Sequence, residues 1–210
     1  MNLIDFEKLL AKKIAEIATN EDPAHDFLHF KRVVVMATKL CKEEKAKLEV
    51  VLPAAWLHDF VIIAKNDPRR KQASRLSAEE AVKFLKEIGY PEQYLSEISH
   101  AIEAHSFSAN IKTETLEAMI VQDADRLDGL GAIGVARCFA TSGLLKRPFY
   151  SEQDPFCENR EPEDSKFTVD HFYAKLFKTA ETLKTSSGKR EGIKRVEAMK
   201  RFLNDLKVEM

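Results

Sequence analysis

Cysteine is scarce in this chain and carries no pattern: there are three, Cys41, Cys138 and Cys157, with no C-x-x-C pair among them. An odd count without that spacing excludes a disulfide framework and a thiolate zinc site. No stretch approaches the ~18 consecutive apolar residues of a membrane helix, so no membrane partner is expected. The opening MNLIDFEKLL places Asp5 and Glu7 where a secretory leader would be apolar, which makes the cytoplasm the expected location. Charge of one sign is lacking too. Against 34 acidic residues stand 33 basic ones, a formal net charge of −1. Such a balance does not fit a surface that seeks nucleic acid as a whole, and no stable nucleic-acid partner is expected. Any electrostatic recognition must be local.

What is present is a core and a helical period. Apolar residues make up 44% of 210, enough for one domain of ordinary size. Ile4, Leu9, Leu10, Ile14 and Ile17 form one stripe, Phe27, Phe30, Val33, Val34, Ala37 and Leu40 a second, and Leu48, Val51, Leu52, Ala55 and Trp56 a third. Further helices are expected at about 77–88, 92–106, 113–125, 127–142, 168–184 and 189–207. Punctuation falls at Asp22-Pro23, Asp67-Pro68, Gly89-Tyr90-Pro91 and Ser186-Ser187-Gly188. Residues 143–167, with Pro148, Pro155 and Pro162, are expected to form a long irregular connection. The expected fold class is all-α: a single compact helical bundle over 1–210, with core motifs at about 20–142 and C-terminal helices over 168–210 packing on it.

Gly129-Leu-Gly-Ala-Ile-Gly134 is a literal G-x-G-x-x-G, and Ala118–Gln122 could pass for a buried strand before it. A dinucleotide site needs the glycines directly after the strand within a βαβ unit. Here six residues intervene. The better account is that Gly131, Gly134 and Cys138 share one helical face and admit a close neighbouring helix.

Chemistry-bearing residues gather elsewhere. The apolar run ending A-A-W-L-H58-D59 closes on two groups that are costly to bury unpaired. Upstream, His25, His29 and Arg32 lie along one helical line. Downstream come H100-A-I-E-A-H105-S and the carboxylate cluster Q122-D-A-D-R-L-D128. The chain has two His-Asp dipeptides, at 25 and at 58, so such a pair alone decides little. Imidazoles and carboxylates drawn from separate helices make a mixed nitrogen and oxygen set. It suits one divalent ion, Mn, Fe, Co, Ni, Zn or Mg, which would activate water and polarise a phosphoryl group.

The ordered set of these motifs resembles the HD superfamily of metal-dependent phosphohydrolases, and more narrowly its small stand-alone bacterial hydrolases. H-D-F-L-H-F-K-R-V, W-L-H-D, A-H-S-F-S, Q-D-A-D-R-L-D-G-L-G-A-I-G-V-A-R and D-H-F-Y-A-K-L all look like that group. The resemblance implies His29, His58, Asp59 and Asp125 as metal ligands. It also implies hydrolysis of a phosphate ester or anhydride of a nucleotide or nucleotide-like substrate. Some relatives carry a glutamate three residues past the H-D aspartate to orient water; Ile62 stands there in this chain. Asp128, His105 and His25 are the candidates for that catalytic role. Arg32 and the basic loop after the H-D helix, with Lys65, Arg69 and Arg70, are candidates for binding substrate phosphate. His171 and Lys175, four apart, could line the pocket, although packing of Phe172, Leu176 and Phe177 explains their helix without function. Two rival readings stay open: a cyclic or linear dinucleotide phosphodiesterase, and a non-catalytic nucleotide- or metal-binding regulator. A homodimer is compatible with the sequence.

Overall fold

The computed structural model describes residues 2–18, 26–63, 67–107 and 109–210. The described residues form helices and turns with no strand. The chain divides into two compact units: residues 1–125 with 184–187, and residues 126–183 with 188–210.

In the first unit, α1 (Leu3–Ile17) starts where the Asn2 side chain accepts a hydrogen bond from the Asp5 amide at 3.0 Å. Its buried Phe6, Leu10 and Ile14, four apart, form the packed stripe. Helix α2 (Phe27–Glu44) is capped by Asp26, whose Oδ1 accepts from the His29 amide at 2.8 Å. The first His-Asp dipeptide therefore contributes its aspartate to helix geometry. Helix α3 (Leu48–Leu57) is the centre of the unit. Every residue from Val50 to Leu57 is buried, and α1, α2, α4 and α5 pack against it. A helix apolar on all sides is stable only when surrounded.

Pro53 sits inside α3 and has no amide hydrogen, which removes the helical bond to the Glu49 carbonyl. The Tyr90 hydroxyl donates to that carbonyl at 2.6 Å. Tyr90 follows Gly89, which takes the left-handed conformation (φ 72°) that ends α4 (Ala73–Glu87). Gly89-Tyr90-Pro91 is thus a helix stop and a splint for α3. A 3₁₀ turn, Glu92–Tyr94, leads into α5 (Leu95–His105), and α6 (Leu116–Asp128) follows. Residues 118–122, the strand alternative, lie inside α6.

Three buried side chains of α6 fasten it to other parts of this unit. Glu117 Oε1 accepts from the Lys47 amide at the start of α3 (3.1 Å). Gln122 Nε2 donates to the Ala104 carbonyl in the last turn of α5 (2.7 Å). Asp123, fully buried, accepts from the amides of Lys184 and Thr185 (both 2.8 Å) and from the Thr185 hydroxyl (2.7 Å). Each satisfies a backbone group that a helix end or loop would otherwise leave orphaned.

The second unit contains α7 (Gly131–Leu144), α8 (Phe177–Glu181) and most of α9 (Ser186–Val208). Phe172 and Phe202 stack at 6.2 Å, and Phe139 meets both edge-on. The glycines behave partly as expected. A Cβ on Gly131 (φ 71°) would press on Arg195 of α9, but one on Gly134 would strike the Gly129 carbonyl, so the tighter approach is to the preceding turn. Residues 145–167 are irregular, as anticipated. Arg160 donates to both oxygens of the buried Asp170 (2.5 and 2.8 Å), and the Glu163 amide adds a third bond (2.6 Å). The helix expected at 168–184 is instead a turn, a π-helical stretch Phe172–Leu176 and the short α8. Ser186 and Ser187 open α9 where a break was expected before 189.

Candidate metal centre

The four side chains singled out as ligands come from α2, the end of α3 and α6. His29 and His58 are buried, while Asp59 and Asp125 are partly exposed. His29 Nε2 and His58 Nε2 stand 3.1 Å apart. Asp125 Oδ1 lies 3.7 Å from the first and 3.9 Å from the second, and Asp59 Oδ2 lies 3.5 Å from His58 Nε2. One donor atom each from His29, His58 and Asp125 falls within 4.8 Å of the other two, and the same holds for His58, Asp59 and His105.

The backbone decides which ring nitrogen faces inward. His58 Nδ1 donates to the Ala55 carbonyl at 2.9 Å, and His105 Nδ1 to the Ile102 carbonyl at 2.6 Å. Both carbonyls lie one turn earlier on the same helix. The Nε2 of His58 is thereby left with a lone pair turned into the cluster, the arrangement that histidine ligands of metals use. Burial pushes the His58 pKa down to about 4, against the attraction of Asp59, so the ring is neutral and competent to bind a cation. His105 shows the opposite balance. Burial works against its charge, but the hydrogen bond and charge of Asp59, 3.4 Å away, raise it to about 8.

The donor set fits a divalent ion. Two nitrogens bound at about 2.1 Å and at right angles would lie ~3.0 Å apart, close to the 3.1 Å between the two imidazoles. Bringing two such nitrogens and two carboxylates together without a cation would cost desolvation with little return. The mixture of imidazole and carboxylate suits a borderline metal.

The other singled-out residues are placed as follows. His105 joins the cluster through Asp59. Arg32 is half-buried one turn beyond His29 on α2. Asp128 belongs to the second unit, where Arg137 Nη1 donates to it at 2.7 Å. Arg69 turns its guanidinium onto Asp67 (2.9 and 3.1 Å), and Arg70 donates to the Ile63 carbonyl (2.5 Å). Both guanidinium groups are thus engaged within their own segment. His25 and Lys65 lie outside the described residues. Ile62, where some relatives carry a glutamate, is 43% exposed. His100 Nε2 accepts from the Glu114 amide at 2.9 Å, a loop-fixing role.

Sequence reasoning missed the supports of the cluster: Gln122 on the α5 terminus, Glu117 on the α3 terminus, and the carbonyls of Ala55 and Ile102. One signal was available. A proline six residues into a helix leaves a carbonyl four residues back in need of a donor, and that points to a partner such as Tyr90.

The chain is similar to known proteins. Residues 26–130, half of the chain, match the HD domain family. Over 197 residues the chain is 29% identical to YpgQ, an uncharacterized protein of Bacillus subtilis, covering 92% of this chain and 88% of that one. The crystal structure of that YpgQ in complex with ADP aligns with a TM-score of 0.75 at 26% identity, over 97% of both chains. An HD-superfamily hydrolase from Bacillus thuringiensis aligns with a TM-score of 0.77 at 28% identity, over 98% of this chain and 97% of its own. With the histidines and aspartates gathered on three helices of this all-α fold, the chain belongs to the HD superfamily of metal-dependent phosphohydrolases.

Proposed function

We propose that the protein hydrolyses the phosphate ester or anhydride of a nucleotide, with one divalent ion held by His29, His58, Asp59 and Asp125. The observation that carries this reading is the 3.1 Å approach of two imidazole Nε2 atoms, with carboxylate oxygens of Asp59 and Asp125 beside them. A divalent ion at such a set supplies Lewis acidity, which acidifies water and draws charge from a phosphoryl oxygen. The residues do the rest. His58, kept neutral by burial, offers its lone pair rather than a proton. Asp125, 30% exposed, and Asp59, 24% exposed, leave the cluster open to an incoming substrate. His105, set against Asp59, is the group best placed to hold or move a proton, and it takes the role that Ile62 cannot fill. Asp128, committed to Arg137, is a weaker candidate for that step. Arg32, one turn from His29, is the basic residue assigned to substrate phosphate.

The ADP bound to the Bacillus subtilis relative supports the nucleotide as substrate class. Release of orthophosphate or pyrophosphate from a panel of nucleoside mono-, di- and triphosphates, with Mn²⁺ added, tests the reading. Turnover of at least one, lost on chelation, is expected. A folded, metal-loaded protein that turns over none would make it a regulator instead.

A further inference from the structure

His105 is the last residue of α5, and the chain leaves the helix directly after it. Ser106 is extended, and Phe107 is 72% exposed. His58 stands at the end of α3, but there every residue from Val50 to Leu57 is buried, so packing holds that end. Past α5 the chain reaches solvent at once. Terminal turns fray because their last four carbonyls have no donor within the helix. A ring in such a turn keeps its place best when a group outside the helix pins the backbone.

The pin is Gln122 of α6, and all the residues concerned lie in the first unit. Its Nε2 donates to the Ala104 carbonyl at 2.7 Å. That carbonyl belongs to the planar peptide unit joining Ala104 to His105, so the bond fixes the plane from which the histidine Cα hangs. The ring's own bond, Nδ1 to the Ile102 carbonyl at 2.6 Å, then sets its rotation. With both bonds made, His105 Nε2 stands 3.4 Å from Asp59 Oδ1, and the ring meets His58 edge-on at 5.0 Å. Gln122 also precedes Asp125 by three residues, which makes them neighbours on α6. One helix thus carries a proposed metal ligand and the holder of the imidazole assigned to the proton.

Packing alone does not ask for an amide at this position. Gln122 is 4% exposed, and its Oε1 is buried with no hydrogen-bond partner. A buried unpaired acceptor costs stability. An apolar side chain of the same length would remove that cost while giving up the bond to Ala104. The two changes oppose each other, so what the amide supplies is the placing of the peptide before His105.

We propose that Gln122 is a positioning residue for the hydrolytic step, acting through His105 by fixing the Ala104–His105 peptide. The inference rests on the reading in which His105 holds or moves a proton. Other residues hold the metal, so Gln122 governs turnover and not metal occupancy.

The test uses the full-length protein loaded with Mn²⁺ and three variants, Gln122→Met, His105→Asn and the two combined. Gln122→Met is expected to keep its equivalent of metal and its KM, while kcat falls about tenfold or more. In the His105→Asn background the same change should cost no further kcat, because the two residues act as one unit. An unchanged kcat in folded Gln122→Met overturns the proposal. So do losses that multiply in the combined variant, or a loss of metal. NMR of the metal-free proteins gives a readout that needs no turnover. The imidazole N–H signal missing from His105→Asn is that of His105, and Gln122→Met should shift or broaden it more than the His58 signal. A His105 signal unmoved in the folded variant overturns the proposal, and this measurement decides alone where turnover is too slow to follow. If wild type hydrolyses no nucleotide, the proposed function falls, and the ring signal still decides whether Gln122 places His105.

Discussion

Asp170 of the second unit and the cluster around His58 of the first are both buried polar groupings, and they satisfy themselves in opposite ways. Asp170 has its positive charge supplied by the chain: Arg160 reaches both carboxylate oxygens, and a backbone amide adds a third bond. Nothing more is needed there. Around His58 the chain spends its backbone carbonyls on fixing Nδ1, and apart from His105, which faces Asp59, it gathers groups that can accept rather than donate. The lesson concerns reading buried charge. Where the proton donors are built in, the carboxylate is structural; where acceptors converge, a cation is the partner that suits them.

Breaking the cluster should give the largest effect. His58→Ala or Asp59→Asn is expected to abolish tight Mn²⁺ binding and to lower phosphohydrolase activity by more than about 100-fold, since removing even an outer support of such a site costs 10–100-fold. Far-ultraviolet dichroism should stay helical. Retention of one equivalent of metal by both purified variants would defeat the ligand assignment. Arg160→Ala breaks the other side of the comparison, leaving a buried carboxylate without its cation. A loss of about 3–5 kcal/mol in urea unfolding is expected, with metal binding in the surviving folded protein unchanged.

The pH dependence sharpens that contrast. Burial opposes the charge on Asp170, but Arg160 and the Glu163 amide outweigh it and hold the folded pKa below the ordinary carboxylate value. A depressed folded pKa gives stability that is complete above the unfolded value of about 3.9 and is lost as pH falls through the folded value. Asp170→Asn should therefore cost most near neutrality, and its deficit relative to wild type should shrink below about pH 4. A deficit that stayed constant across that range would mean the carboxylate charge is not what stabilises the loop.

Metal itself should stabilise the first grouping and leave the second untouched. With free Mn²⁺ at about 100 times its Kd, the melting transition of wild type should gain the equivalent of ~2.7 kcal/mol, and that of His58→Ala nothing. The smallest effect is expected from Tyr90→Phe, which takes the donor from the Glu49 carbonyl inside α3. About 1–3 kcal/mol of stability should be lost, with KM for any substrate unchanged.

How much of this was legible in the sequence depended on the range of the interaction. The stripe of α2 reports burial directly, because a 3.6-residue period has one cause, whereas in α1 the buried line is Phe6, Leu10 and Ile14 and the expected Ile4 is exposed. The order of the His and Asp motifs brought out the family, and the geometry groups His29 and His58 with Asp125, and Asp59 with His58 and His105. Two His-Asp dipeptides were indistinguishable as letters. Only the 2.8 Å bond from the His29 amide shows that Asp26 is a cap. The π stretch at 172–176 was read as ordinary helix, since periodicity cannot register a single widened turn. The supports on Glu117 and Gln122 were invisible for a different reason: their partners are backbone groups 70 and 18 residues away, and a backbone group has no letter.

Helix α6 carries a consequence of its own. Between Glu117 and Asp125 it holds the start of one helix, the finish of another, a connecting loop and a proposed ligand, each by a side chain on a fixed bearing. Adding or deleting one residue there would swing everything beyond it by about 100°, so that no repacking of apolar neighbours could restore all four attachments at once. Within those nine positions a single change of chain length would dismantle the frame of the candidate metal centre.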